Sequence, residues 1–215
     1  MNKPILAIET SGALCSVCLF FSEVKHHQIN SFDKMSHSKT LVKSINTLLD
    51  FSGIAPGDLD STAVSIGPGS FTGLRIGLAV AKGIAYGANL PVIPVPSFDA
   101  LALQCCDFLP DNKPIGIAIK ANHDEVYFNS FTINQNSFNF TGEIRIIKQN
   151  ELNNYRNDYH LVSDISTQNK TGNKLSQLPA YYVAKWANIF GTDCKSMDYD
   201  YLEPMYIKDF EVKRS

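Results

Sequence analysis

The segment whose residue types come nearest to ligand chemistry is Gly67-Pro68-Gly69-Ser70-Phe71-Thr72-Gly73. The apolar residues 62–66 precede it and LRIGLAVAKGIAYGANL follows, so it joins a predicted strand to a predicted helix. That geometry turns backbone N–H groups toward an anion. The run lacks the Gly-Lys-Ser/Thr ending of a phosphate loop, carrying Gly73-Leu74-Arg75 there instead, and it fails the dinucleotide fingerprint. The other reading is a tight crossing whose glycines meet backbone constraints. Arg75 falls in the first helical turn, where the helix field disfavours a cation; solvent, a carboxylate, a phosphate or a partner surface are its alternatives. At the end of the first apolar run, Glu9 stands beside Thr10, Ser11 and Gly12. A carboxylate there could organise magnesium and phosphate, or cap a turn. Glu9, Thr10, Ser11, Gly67 and Gly69 are thus the candidate cofactor-binding residues, for a cofactor the sequence does not name.

Other chemistries find less support. The five histidines, His26, His27, His37, His123 and His160, form no HExxH and no pair three or four apart. His26 and His27 are neighbours on a predicted strand and face opposite ways. No GxSxG elbow occurs. Cys15 and Cys18 spell CxxC, but an offset of three on a strand puts them on opposite faces, so reduced thiols and a cytoplasmic setting are expected. With 21 acidic and 19 basic residues the formal charge is -2. That balance argues against a stand-alone nucleic-acid binder, though not against a subunit that handles RNA beside a more basic partner. No apolar run approaches the roughly 18 residues of a membrane span, and the opening run, ended by Glu9, is too short for a signal peptide core.

The elements that must position these residues read as follows. Residues 4–10, 15–21 and 24–30 are predicted strands, antiparallel neighbours with a turn at Gly12 and a hairpin at 21–24. A helix follows over 36–51, with Ser36 as N-cap, Leu41, Ile45 and Leu48 on one edge and Val42 and Leu49 on the next. Gly53 ends it. The helix over 72–89 carries Gly73, Gly77, Ala81 and Ala85 at steps of four, and Ile76, Val80 and Ile84 on a neighbouring face. A helix serving only its own sheet needs about one stripe, so a free apolar face on each helix invites a helical pair from another subunit. An extended segment spans 91–96, and Ser97 is the expected N-cap of a helix over 98–106. After a polar turn at 107–113, strands at 115–119 and 126–131, joined by the turn 121–124, repeat the opening pattern. Residues 134–173, rich in Asn, Asp and Lys, are expected to be long loops or short elements. A last helix is expected over 176–190. The chain length and 44 % apolar content suit one large domain or two small ones. The expected division is 1–108 for an N-terminal lobe and 109–215 for a smaller C-terminal lobe, with the last segment free to return to the first.

Residues 65–83, SIGPGSFTGLRIGLAVAKG, closely resemble the bacterial TsaB family. ILAIETS at 5–11, HSKTLVKSI at 37–45, EVYFNSF at 125–131 and the Pro-x-Tyr-hydrophobic-basic pattern at 204–208 are also similar to family motifs. The resemblance implies an α/β fold of the actin/Hsp70/sugar-kinase (ASKHA) superfamily, two related lobes each with a mixed sheet and flanking helices. It implies a non-catalytic paralogue of TsaD, the enzyme that transfers threonylcarbamoyl to adenosine beside the anticodon of ANN-reading tRNAs. TsaD and the ATPase TsaE are the implied partners, tRNA is reached through the complex, and the chain alone is expected to form a homodimer. No cofactor is expected to be tightly bound, with ATP or ADP only in the assembled complex. TsaD-type proteins hold a metal with a pair of histidines on a helix; here that region offers only His37, so no metal site is expected. Glu9 replaces the family's usual aspartate, KANHD at 120–124 replaces DARMG with Lys120 as the available cation, and Lys43 replaces a common proline. His37, Leu41, Ile45, Leu48, Arg75, Ile76, Val80 and Ile84 are the expected partner interface. The competing reading is a small ATP-dependent kinase or ATPase of the same fold. It needs magnesium-binding carboxylates and an adenosine pocket, which these residues do not assemble.

Overall fold

The computed structural model describes residues 3–32, 37–111, 113–134, 137–165 and 175–207. The first sheet contains β1 (Ile5–Glu9), β2 (Cys15–Ser22), β3 (Lys25–Ser31), β4 (Ser61–Gly67) and β5 (Val92–Pro96), in the order β3-β2-β1-β4-β5. β1 is antiparallel to β2 and parallel to β4, and β4 is parallel to β5. β1 is apolar along both faces because both are covered. Leu6 and Ile8 join Val17 and Leu19 under α1 (His37–Ser52) and α2 (Phe71–Ala88). Ile5 and Ala7 join Cys18 and Phe20 on the opposite face, under α3 (Ser97–Phe108) and a later helix. Cys15 and Cys18 accordingly fall into different cores and remain free thiols, burial pushing them up to about 11 and about 12 respectively.

The second sheet contains β6 (Ile115–Lys120), β7 (Glu125–Asn134), β8 (Ser137–Phe140), β9 (Arg145–Lys148) and β10 (His160–Ser163). Its order is β10-β6-β7-β8, with β9 also paired to β7. β6 and β7 form an antiparallel hairpin and β10 lies parallel to β6. This repeats the first sheet's plan, a hairpin whose first strand gains a parallel neighbour. The two-lobed α/β architecture with mixed sheets and flanking helices is therefore present as expected. Between β9 and β10 lies the short α4 (Leu152–Tyr155), and after β10 comes α5 (Ala180–Phe190).

Several expected boundaries move, each for a physical reason. Ser36 lies outside the described residues. α2 starts at Phe71, because the Ser70 hydroxyl oxygen accepts from the Gly73 N–H at 3.3 Å and caps it. Asn89 closes α2 in the left-handed conformation at φ 54°. Ser97 is not a cap: it is the first residue of α3, follows Pro96 and makes no capping bond. The last helix begins at Ala180 rather than near Ser176, since Pro179 occupies the cap and fits a helix start better than an interior. The polar stretch 134–173 holds β8, β9, β10 and α4, which are too short to show periodicity.

One apolar core joins the two sheets. It contains Val95, Phe98 and Leu101 from the first lobe, Ile117 and Phe131 from the second, and Val183 of α5. The Lys185 ammonium of α5 reaches Asp107 at 3.1 Å and Glu23 at 3.6 Å, tying α3 and the β2–β3 hairpin to it. Beyond α5 the chain runs back along the first lobe. Ser196 and Val92 exchange two backbone hydrogen bonds at 2.9 Å, the Tyr199 hydroxyl donates to the Leu90 carbonyl at 2.7 Å, and the Met205 N–H donates to the Ile66 carbonyl at 2.7 Å.

Candidate functional site

Strand alternation places Ile5, Ala7 and Glu9 on the face of β1 that looks toward α3 and α5. Glu9 is 1 % exposed. The Ser11 N–H donates to one of its oxygens, and the Ser65 hydroxyl, brought alongside by the β1–β4 pairing, donates to the other. Burial pushes the Glu9 carboxyl up to about 7, while the Ser11 and Ser65 hydrogen bonds pull it down. Of the two roles open to Glu9, the geometry is that of a turn cap. The space it faces, lined by Ser97, Leu101, Ile119 and Leu178, is about 20 Å³. That holds about one water and falls far short of the roughly 300 Å³ of a small-molecule site.

The Thr10 side chain and the Ser11 carbonyl face the other way, onto the start of α2. The Thr10 hydroxyl donates to the Gly73 carbonyl at 2.7 Å, and the Ser70 N–H donates to the Ser11 carbonyl at 2.7 Å. The Ser70 and Gly73 amides are therefore satisfied within the chain. Gly67 has φ +114°, a conformation side chains rarely adopt. A Cβ on Gly69 would lie 2.5 Å from the Ser11 carbonyl oxygen, and one on Gly73 would overlap the Thr10 carbonyl. These glycines thus let α2 press against the end of β1. On the outer side of the same turn lies an open hollow of about 490 Å³, lined by Ser11, Ser38, Ser70, Thr72 and Lys120 among others.

Among the described residues Arg75 meets no carboxylate. Its guanidinium sits 3.8 Å over the Phe71 ring, and its Nε donates to the Tyr206 hydroxyl at 3.0 Å. It fastens the returning segment onto α2. Among the expected interface residues, Leu41, Ile45 and Leu48 point into the chain's own core at 0 %, 2 % and 4 % exposure. They are corrected to core residues, because the side of α1 facing the sheet takes the whole of that edge. Ile76, Val80 and Ile84 are half-buried along the same core, whereas Val42 is 46 % exposed. His37 opens α1, and its side chain lies outside the described residues. The His26 and His27 rings lie on opposite faces of β3, against Tyr181 and Phe51 respectively. Among the described residues, no three His, Cys, Asp or Glu side chains come close enough together to hold a metal ion, and no helix is long and apolar enough to cross a membrane.

The sequence reading missed Ser65, the second donor to Glu9, and the pairing of Asp99 with Trp186. Burial pushes Asp99 up to about 6, against the lowering effect of its hydrogen bond with Trp186. Ser65 reaches Glu9 through the parallel β1–β4 pairing, which no local pattern encodes. Trp186 lies 87 residues beyond Asp99, and nothing local connects the two.

Residues 28–189 match the family profile described as TsaD, tRNA N6-adenosine threonylcarbamoyltransferase. The tRNA threonylcarbamoyladenosine biosynthesis protein TsaB of Haemophilus influenzae is 30 % identical over 97 % of this chain and 94 % of its own length. The Escherichia coli protein of the same name is 32 % identical over 61 % of this chain and 56 % of its own. A solved structure of YeaZ from Pseudomonas aeruginosa superposes with a TM-score of 0.75 at 23 % identity, covering 96 % of this chain and 100 % of that one; at that identity the likeness speaks for the fold.

Proposed function

The chain belongs to the TsaB family, and from that premise we propose that it serves as the non-catalytic subunit supporting TsaD in forming threonylcarbamoyladenosine on ANN-reading tRNAs. The observation that carries this reading is the match to a TsaB along nearly the whole length of the chain, and the engagement of Glu9 within the chain agrees with it. The carboxylate is occupied by the chain's own Ser11 and Ser65, and the adjoining space is about 20 Å³. A kinase or ATPase of this architecture would need magnesium-binding carboxylates beside the open hollow of about 490 Å³ at Ser11, Ser70, Thr72 and Lys120, and the one buried carboxylate near it among the described residues, Glu9, is held by Ser11 and Ser65 instead. ATP or ADP is expected only in the assembled complex, in the cytoplasm, with TsaE joining the TsaD heterodimer and tRNA handled within it. The test is reconstitution. Unmodified tRNA and the threonylcarbamoyl donor are incubated with this chain alone, with TsaD and TsaE alone, and with all three together. Modified adenosine is expected only from the full set; transfer by this chain without TsaD overturns the proposal, as does full activity without this chain.

The partner surface is proposed on the outward sides of α1 and α2. Its residues are Val42, Arg75, Ile76, Val80 and Ile84, next to His37. A second copy of the chain would compete for it when TsaD is absent, because dimers form through self-complementary patches. An Asp at Ile45 would test folding rather than association, since that side chain is 2 % exposed. Val42→Asp and Val80→Asp are the informative variants. In an interface of about 1,600 Å², a buried unpaired charge costs several kcal/mol, so sedimentation should show both associations weakened at least about a hundredfold. Full-strength association of both folded variants would move the interface elsewhere.

A further inference from the structure

The second lobe carries a hollow of about 540 Å³ whose walls include Lys148, Gln149, Asn150, Asn153, Arg156 and Asp124. Its frame is well fixed. Lys148 pairs with Glu125 across β7 and β9, and the Gln149 N–H donates to the Asp124 carbonyl at 2.8 Å. α4 is anchored by Leu152, which is 3 % exposed, and the Lys113 ammonium donates to the Arg156 carbonyl at 3.3 Å. Within this frame the Arg156 Nε is shielded from solvent and has no acceptor among the described residues. Buried donors are nearly always paired, and a guanidinium offers donors in a fork that fits phosphate. The Lys148 ammonium also lacks a carboxylate partner among the described residues. The one carboxylate on the wall, Asp124, is engaged by the His123 ring at 2.7 Å. Three side-chain amides supply further donors.

We propose that this hollow receives a phosphodiester of the tRNA backbone, so that the second lobe touches the RNA directly through Arg156 and Lys148. The proposal rests on the reading of the chain as a subunit of a tRNA-modifying complex. A metabolite fits less well, because small-molecule sites are mostly apolar and enclose their ligand, whereas this hollow is polar-walled and opens broadly to solvent. Arg156 and Lys148 supply two phosphate contacts, which position RNA without specifying sequence.

The test titrates a fluorescently labelled, unmodified tRNA transcript with the TsaD heterodimer, and with the full chain alone at low salt, over a range of salt concentrations. Variants are Arg156→Gln, Lys148→Ala and the pair, with Lys25→Ala on the first lobe as the charge control; circular dichroism checks folding. Each single change should weaken tRNA binding roughly three- to tenfold and reduce the salt slope by about one. Lys25→Ala should leave both unchanged, and heterodimer formation should persist throughout. If Arg156→Gln fails to fold, Lys148→Ala on the open wall still decides. Unchanged affinity and slope in the folded variants, or an equal loss with Lys25→Ala, overturns the proposal. So does millimolar inorganic phosphate binding that needs Arg156 while tRNA affinity does not. Failure of the wild-type chain to join TsaD would instead count against the proposed function, and the titration of the chain alone would still read the hollow.

Discussion

The Glu9 carboxyl is shut away from water, and burial raises its ionisation from 4.5 to about 7 against the lowering effect of the Ser11 and Ser65 hydrogen bonds. The folded state therefore binds its proton more tightly than the unfolded state does. Between pH 4.5 and pH 7 the folded chain carries the extra proton, so this group's contribution to stability is full below pH 4.5 and is lost as pH rises through 7. The shift corresponds to about 3 kcal/mol. Glu9→Gln keeps the shape and removes the titration, because its amide can donate to the Ser65 oxygen as a protonated carboxyl would. Thermal melts at pH 5 and pH 8 should show the wild type losing several degrees more than the variant; parallel losses would mean that Glu9 is not the titrating group. Glu9, Thr10 and Ser11 were legible as a polar cluster at a strand end. Their partners were not, since Ser65 and Gly73 reach them through the β1–β4 pairing and the packing of α2, neither of which a local pattern encodes. Arg75 was similarly visible as an anomaly in a first helical turn, while its aromatic partner Tyr206 lies 131 residues away.

α2 shows what a helix can reveal about its own neighbours. The step-of-four stripe of Gly73, Gly77, Ala81 and Ala85 announces a close approach, and all four are buried against the sheet. Gly83 and Gly87 lie off that stripe, and a Cβ on either meets nothing within 4 Å. Substitutions at the two kinds of glycine should therefore have opposite signs. Gly73→Ala forces the Thr10 backbone to move and should cost about 1–3 kcal/mol or more. Gly83→Ala relieves the helix of a flexible residue and should stabilise it by up to about 1 kcal/mol. Urea denaturation of both variants checks this; a loss at Gly83 comparable to that at Gly73 would show that glycine is needed for something other than close packing. The same reasoning explains the elements that were not legible. β8 alternates half-buried and exposed residues over only four positions, too few to separate from a polar loop, and it becomes a strand because β7 supplies its hydrogen-bonding edge.

At the scale of the whole molecule, the two lobes repeat a plan but do not keep separate interiors on the joint side. Phe98 and Leu101 of α3 share a core with Ile117 and Phe131 of the second sheet, and α5, which follows the second sheet in sequence, packs on β1 and β2. Each lobe therefore leaves apolar surface exposed if the other unfolds. Burying a large apolar side chain is worth about 1.5–3 kcal/mol, so exposing several together removes a large part of the 5–15 kcal/mol that holds a typical domain folded. The chain should unfold in one step, although at 215 residues it exceeds the size at which single transitions are usual. The single tryptophan provides the test, since Trp186 stands on α5 in the shared core at 7 % exposure. Its fluorescence reports the joint, while far-ultraviolet circular dichroism reports both sheets and all the helices. The two urea transitions should superimpose, and Leu101→Ala should shift both together by an amount equivalent to about 2–5 kcal/mol. If the fluorescence change precedes the loss of secondary structure, the joint opens while the lobes stay folded, and the shared core is not what makes this molecule one unit.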